Sequence, residues 1–294
     1  MLALLTQQIL NGLIIGLVYA LIALGLTLVY GVLRVIHLAH AATYALGAYV
    51  AATLLNAALV PLPVAVLLGI AAAGILGVLV ERFIYRPLLT SKPIAPLIAG
   101  LGVYFIFQDT VKNLFGPYAL PFGKTGEPGG LTLGPLRVSE AQILVVVVCI
   151  LLIAVVFLLI SQTRFGLQIR AVADRRDMSS AVGINVHGIV SLTFLLASVL
   201  AGVAGILIAN MYSTVYPTMG LDYTLRALAV VVVGGLGSVS GAVIASLLLG
   251  VTEAVLVGML DLPIGQDGIA FIFLVAVLLI RPQGIFGARQ LEKV

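Results

Sequence analysis

Runs of about twenty apolar residues, separated by short polar stretches, recur from one end of the chain to the other, and each is long enough to cross a hydrocarbon core about 30 Å thick. Hydropathy marks such runs at Ile9 to Val32, Val35 to Leu59, Pro63 to Val80, Ala95 to Phe115, Gln142 to Ile160, Val190 to Asn210, Gly241 to Leu260 and Ile269 to Ile280, with a shorter one at Ala227 to Leu236. Segments such as Ile143 to Ile160 are continuously apolar, whereas the strands of a membrane barrel alternate. The pattern predicts an all-α polytopic membrane bundle with about eight or nine transmembrane helices. Because the spans leave no room for a separate soluble unit of ordinary size, residues 1–294 read as one transmembrane domain.

Composition agrees with the pattern. Apolar residues make up 62% and charged residues 9%, with a mean hydropathy of +1.25, and a soluble surface needs about a quarter of its residues charged. The net charge of +4 calls for no nucleic acid, since basic residues beside anionic headgroups account for it. The first apolar run has no basic residue ahead of it and no small-residue cleavage site, so it reads as a retained helix. Cys149 is alone and apolar in its surroundings, a packing residue.

Basic residues orient the spans. Arg34, Arg82, Arg86, Lys92, Arg164, Arg170, Arg175, Arg176, Arg281, Arg289 and Lys293, eleven of the fifteen, fall on one side if the short run also crosses. By the positive-inside rule that side is cytoplasmic. The N-terminus is then outside, the C-terminus cytoplasmic, residues 116–140 an external loop and residues 162–187 a cytoplasmic one.

That cytoplasmic segment is amphipathic. Leu167, Arg170, Ala171, Asp174, Met178, Ala181 and Val182 recur at helical spacing. Gly183 suits the left-handed conformation that stops a helix, and Asn185 suits the cap of the next. A short helix, a stop and a restart predict a protruding knob.

Inside the membrane the informative residues are those that are costly there. Glu253 would cost roughly 2.5 to 3.5 kcal/mol or more facing lipid, so it is expected to face protein or a cavity. Tyr30, His40, Tyr44, Gln108, Asn210 and Tyr212 are further polar candidates for a solute path. His37 and His40 share a face but lack a third ligand, so no metal site is expected. Gly234, Gly235 and Gly237 break an apolar piece, and Tyr30-Gly31 ends the first span; paired interruptions of this kind often flank a translocation site. Gly12 and Gly16, Ala201 and Gly205, and Gly237 and Gly241 have the small-residue spacing of close helix packing. Gly123-Lys124-Thr125 looks like the end of a phosphate-binding loop, but Tyr118 stands where the first glycine is required. No set of nucleophile, base and metal ligands points to an enzyme.

Around the knob the chain reads R-A-V-A-D, then M-S-S-A-V-G-I-N-V and S-L-T-F-L-L-A. Elsewhere it reads G-L-V-Y-A-L-I-A-L-G-L-T-L-V-Y-G-V-L-R-V-I-H-L-A-H from Gly16 to His40, E-R-F-I-Y-R-P-L from Glu81, V-V-V-V-G-G-L-G-S-V-S-G-A from Val230 and R-P-Q-G-I-F-G from Arg281. In these motifs it resembles the permease subunits of the branched-chain amino acid ABC importers. The resemblance implies an inner-membrane permease of a bacterium or archaeon. It implies a second homologous permease beside this chain, two ATP-binding cassette subunits on the cytoplasmic face and a periplasmic solute-binding protein. ATP and magnesium would be bound by the partner subunits, with no cofactor in this chain. Arg170, Ala173, Asp174, Gly183, Ile184 and Asn185 would belong to the loop that couples to the ATPases.

The family carries Asn at the His37 position and Gly followed by an acid at Ala41 and Ala42, and these polar groups are missing here. The implied solute is therefore a branched-chain or related neutral amino acid, with urea or short amides as the alternative in the same architecture. A passive channel or secondary transporter would account for the spans but not for the knob.

Overall fold

The computed structural model describes residues 1–89, 92, 94–123, 129–133, 136–260 and 265–286. Every apolar run becomes a helix, so the all-helical membrane bundle expected from hydropathy is the fold observed. Six helices have the length and apolarity to cross. They are α1 (Leu2–Leu33), α3 (Leu62–Val80) with its continuation, α5 (Ile94–Phe115), α6 (Glu140–Gln162), α9 (Val186–Tyr212) and α11 (Val239–Leu260). Three shorter ones complete the set: α2 (His40–Asn56), α10 (Met219–Gly234) and α12 (Gln266–Ile280).

The short length of α2 has a visible cause. α1 stops at Arg34, whose φ of 54° turns the chain back, and the connecting residues His37 and Ala39 are themselves buried. Irregular backbone at membrane depth is tolerated where protein surrounds it. α3 runs on through a π-helical turn, Glu81–Tyr85, into the short α4 (Arg86–Leu88). Between α6 and α9 lie α7 (Arg164–Asp174) and α8 (Arg176–Ala181), so the single amphipathic helix expected there is broken at Arg175. Two small antiparallel pairs cap the opposite end. β1 (Leu120–Pro121) pairs with β4 (Thr214–Val215), and β2 (Gly130–Leu133) with β3 (Leu136–Ser139).

α1 and α9 form the buried centre, while α6 is largely exposed, as expected of a lipid-facing helix. Contact between α1 and α11 is close because glycines meet. A Cβ on Gly12 would lie 2.6 Å from the Gly250 carbonyl oxygen, and one on Gly16 2.9 Å from Leu247 Cα. Close packing was expected at these positions and at Gly205 and Gly241, and it is found there. Gly237 differs: nothing approaches it, and its φ of 87° makes it a turn residue. Gly12 meeting Gly250 and Gly16 meeting Leu247 also makes α11 antiparallel to α1. The end of α1, the α7–α8 segment, the α10–α11 turn and residues 281–286 therefore gather at one end of the bundle.

Candidate functional site

Four regions contain the polar groups that the sequence singles out. The first is the knob. Thr163 Oγ1 accepts from Gly166 N to start α7, and Arg170 donates to the Ile160 carbonyl, tying the knob to the end of α6. Arg34 donates to the Ala173 carbonyl at 3.4 Å, and Arg176 donates to the Val32 carbonyl at 2.7 Å, so two arginines cross-link the knob to the end of α1. Burial and the neighbouring Arg34 hold the Arg176 guanidinium below its ordinary pKa, and the Asp177 carboxylate opposes that shift. Asp174 is exposed and lines a shallow cavity of about 300 Å³ with Arg34 and Arg176.

Gly183 has φ 86°, and its N–H donates to the Ser180 carbonyl at 3.0 Å. Ile184 then packs toward the core, and the Asn185 side chain accepts from Gly188 N at 3.0 Å to cap α9. The stop and the cap expected of these two residues are thus both present. Met178 and Val182 are left 61% and 77% exposed at the tip.

The second region lies midway along the bundle. Glu253 is buried, and its Oε2 accepts a 2.7 Å hydrogen bond from the Tyr19 hydroxyl. Arg226 donates to the Tyr19 oxygen at 3.1 Å, to Gln266 Oε1 at 3.0 Å and to Asp267 Oδ1 at 2.8 Å. The Arg226 guanidinium lies 5.5 Å from the Tyr223 ring centroid, and Tyr223 stacks on Tyr44 with centroids 5.5 Å apart. Glu253 faces protein, as its cost in lipid required, and of the sequence candidates Tyr44 packs against this cluster through Tyr223.

Tyr19, Tyr223, Arg226, Gln266 and Asp267 were not singled out by the sequence. Arg226 carries a readable signal nonetheless: it stands beside an apolar run, and the cost argument applied to Glu253 applies equally to it. The Arg226 side chain is turned inward and 11% exposed.

The third region contains His37 and His40. They do not share a helix face, since His37 precedes α2, but burial brings their rings to 5.5 Å. His37 Nδ1 lies 3.0 Å from the Tyr85 hydroxyl, and its ring packs 4.9 Å from that of Phe194. The π-helical turn presents Tyr85 here, and it also buries Glu81, which accepts from Arg86 (3.0 and 3.1 Å) and from Ser191 (2.7 Å). No cluster of three metal-ligating residues occurs among the described residues. Ala41 and Ala42 are fully buried.

The remaining candidates are dispersed. Tyr30 is inside a continuous α1, so the interruption expected at Tyr30-Gly31 is absent, and the chain turns instead at Arg34. Gln108 is buried on α5. Gly234, Gly235 and Gly237 form the α10–α11 turn at the knob end, where Ile285 N donates to the Val233 carbonyl at 2.7 Å. A chain segment, not an open cavity, covers that break. Cys149 is buried in the packed core. Lys124 and Thr125 of the false phosphate loop, with Arg289 and Lys293, lie outside the described residues.

The fourth region is a cavity of about 490 Å³ at the end opposite the knob, lined by Gln8, Asn11, Ser139, Gln142, Tyr212 and Gln266 among others.

Comparison with known proteins adds the family. A family described as the permease component of branched-chain amino acid transport systems matches residues 8–280. The chain is 36% identical to the high-affinity branched-chain amino acid transport system permease protein BraD of Pseudomonas aeruginosa, over 98% of this chain and 97% of that one. It is 34% identical to LivH of Escherichia coli K12, with the same coverage. More distantly, it is 29% identical to the ribose import permease RbsC of Haemophilus influenzae, over 89% of this chain and 81% of the relative.

Proposed function

The chain belongs to the permease family of branched-chain amino acid transport systems, and on that premise we propose how it works as the multi-pass inner-membrane permease subunit of an importer. The solute is a branched-chain or related neutral amino acid delivered by a periplasmic binding protein. A second homologous permease completes the path. Two ATP-binding cassette subunits, which bind ATP and magnesium, sit against the knob from Arg164 to Asn185, with the N-terminus outside and the C-terminus cytoplasmic. This chain makes and breaks no bond itself.

The observation that supports this reading is the knob's construction. Its tip is apolar and exposed at Met178 and Val182, while its base is fastened to α1 through Arg34 and Arg176 and to α9 through the Asn185 cap. A rigid element held at its base transmits displacement of its tip to the buried central helices. Arg170, Ala173, Asp174, Gly183, Ile184 and Asn185 keep that shape.

The test uses Val182→Cys in a Cys149→Ser background. A membrane-impermeant thiol reagent is expected to reach the introduced thiol only from the cytoplasmic face, and a short crosslinker should join that thiol to a co-expressed ATPase subunit. Labelling from outside would overturn the reading. Uptake of leucine against urea by the reconstituted complex decides between the two solutes.

A further inference from the structure

Resting on the transport reading above, we infer that the 490 Å³ cavity at the outer ends of α1, α6, α9, α11 and α12 is an entry site that grips the carboxylate end of a zwitterionic solute through the amide N–H groups of Asn11 and Gln266.

The argument is one of hydrogen-bond direction. Backbone N–H groups only donate, so they fix the orientation of amides that meet them. Ser139 N donates to Gln142 Oε1 at 2.9 Å, and Arg137 N donates to Gln7 Oε1 at 3.0 Å. The NH₂ groups of both glutamines are thereby turned onto the same atom, Asn11 Oδ1, at 3.1 Å from Gln7 and 3.3 Å from Gln142. With its oxygen doubly engaged, Asn11 has its NH₂ left over, and that group has no acceptor among the described residues.

Gln266 is fixed from another direction. A guanidinium is donor only, and Arg226 Nη1 donates to Gln266 Oε1 at 3.0 Å. The Gln266 side chain is exposed, and its NH₂ has no acceptor among the described residues. Two lining residues, one on α1 and one on α12, thus present donors whose own acceptor atoms are consumed elsewhere.

A ligand group seated between the Asn11 and Gln266 NH₂ groups must be an acceptor, and a carboxylate is the strongest acceptor an amino acid carries. No formally charged side chain is among the described lining residues, and Arg226 behind Gln266 is paired with Asp267. A net-neutral solute fits such a wall better than an anion. Ile14, Ile15, Met211, Ala254 and Val257 supply an apolar surface for its side chain, the combination usual in small-molecule sites.

The test uses the permease–ATPase complex in phosphatidylcholine nanodiscs without binding protein, probed with leucine and leucinamide by saturation-transfer NMR. Asn11→Asp and Gln266→Glu replace each NH₂ by an anionic oxygen at nearly constant shape. Wild type is expected to give a leucine signal at least fivefold stronger than leucinamide, and either variant is expected to lower the leucine signal at least fivefold. ATPase subunits should still co-purify with both variants.

Equal signals for leucine and leucinamide would overturn the assignment, as would a variant that binds leucine like wild type. Loss of the ATPase subunits from the variants would place these amides in assembly and overturn it too. Saturation transfer to phosphatidylserine headgroups that excess leucine does not reduce would give the cavity to a lipid headgroup and likewise overturn it. If the wild-type importer moves leucine and the variants move it equally well, only the entry site fails. A wild-type importer that moves no leucine sinks the transport reading itself.

Discussion

The Tyr19 hydroxyl, on α1, donates a 2.7 Å hydrogen bond to Glu253, on α11, across 234 residues of sequence. Glu253 Oε1 has no partner among the described residues, so Tyr19 is the carboxyl group's only direct hydrogen-bond donor among them. Tyr19→Phe is expected to destabilise the protein by about 1–3 kcal/mol, the penalty for leaving a buried polar group unsatisfied. Glu253→Gln keeps an acceptor and is expected to cost less. Thermal unfolding of the purified variants in detergent checks the order, and equal stability of Tyr19→Phe and wild type would contradict it.

Glycine contacts along α1 give opposite expectations at two positions. At Gly12 a Cβ would press on the α11 backbone at Gly250 and Val251, 2.6 Å away, and overpacking of this kind costs about 1–3 kcal/mol. At Gly31 nothing lies within 4 Å and the backbone is helical, so Gly31→Ala is expected to stabilise by roughly 0.5–1 kcal/mol. Melting temperatures of Gly12→Ala and Gly31→Ala should therefore move in opposite directions. A fall in both would mean that Gly31 does serve as a break.

These residues show what the sequence could and could not reveal. Helix existence was legible because apolar length and period are local properties: each hydropathic run became one helix, including the short α10. The stop at Gly183 and the cap at Asn185 were legible for the same reason. Partner choice was not, since it depends on which faces the bundle brings together. Tyr19 looks like any apolar-flanked tyrosine until α11 carries Glu253 to it. His37 and His40 looked like neighbours on one helix, whereas a buried turn joins them. The Gly234–Gly237 break was visible, but residues 281–286 covering it were not.

Gly183 offers a sharper test of the knob. Its φ of 86° is closed to proline, and proline also removes the N–H donated to Ser180. Gly183→Pro is expected to insert normally, measured by membrane abundance, and to lose at least tenfold of substrate-stimulated ATP hydrolysis in the assembled importer. Asp174→Arg, at the exposed end of α7, is expected to do the same by reversing the charge. Unchanged coupled uptake in either variant would contradict the role given to this loop.

The π-helical turn is held by the Glu81, Arg86 and Ser191 triad, in which Glu81 is 1% exposed. Arg86→Ala strips both guanidinium donors from a buried carboxylate and is expected to cost about 1–3 kcal/mol. Ser191→Ala removes one donor and is expected to cost less. Denaturant titration that finds Ser191→Ala the more damaging would show that the ion pair is not the main tie.

The account as a whole rests on transport driven from outside this chain, through a knob gripped by ATP-hydrolysing partners. Its most direct test is leucine accumulation by proteoliposomes supplied with ATP and binding protein, assembled with or without the two ATPase subunits. Accumulation against a gradient is predicted only when both are present. Uphill transport by the permease alone would contradict it.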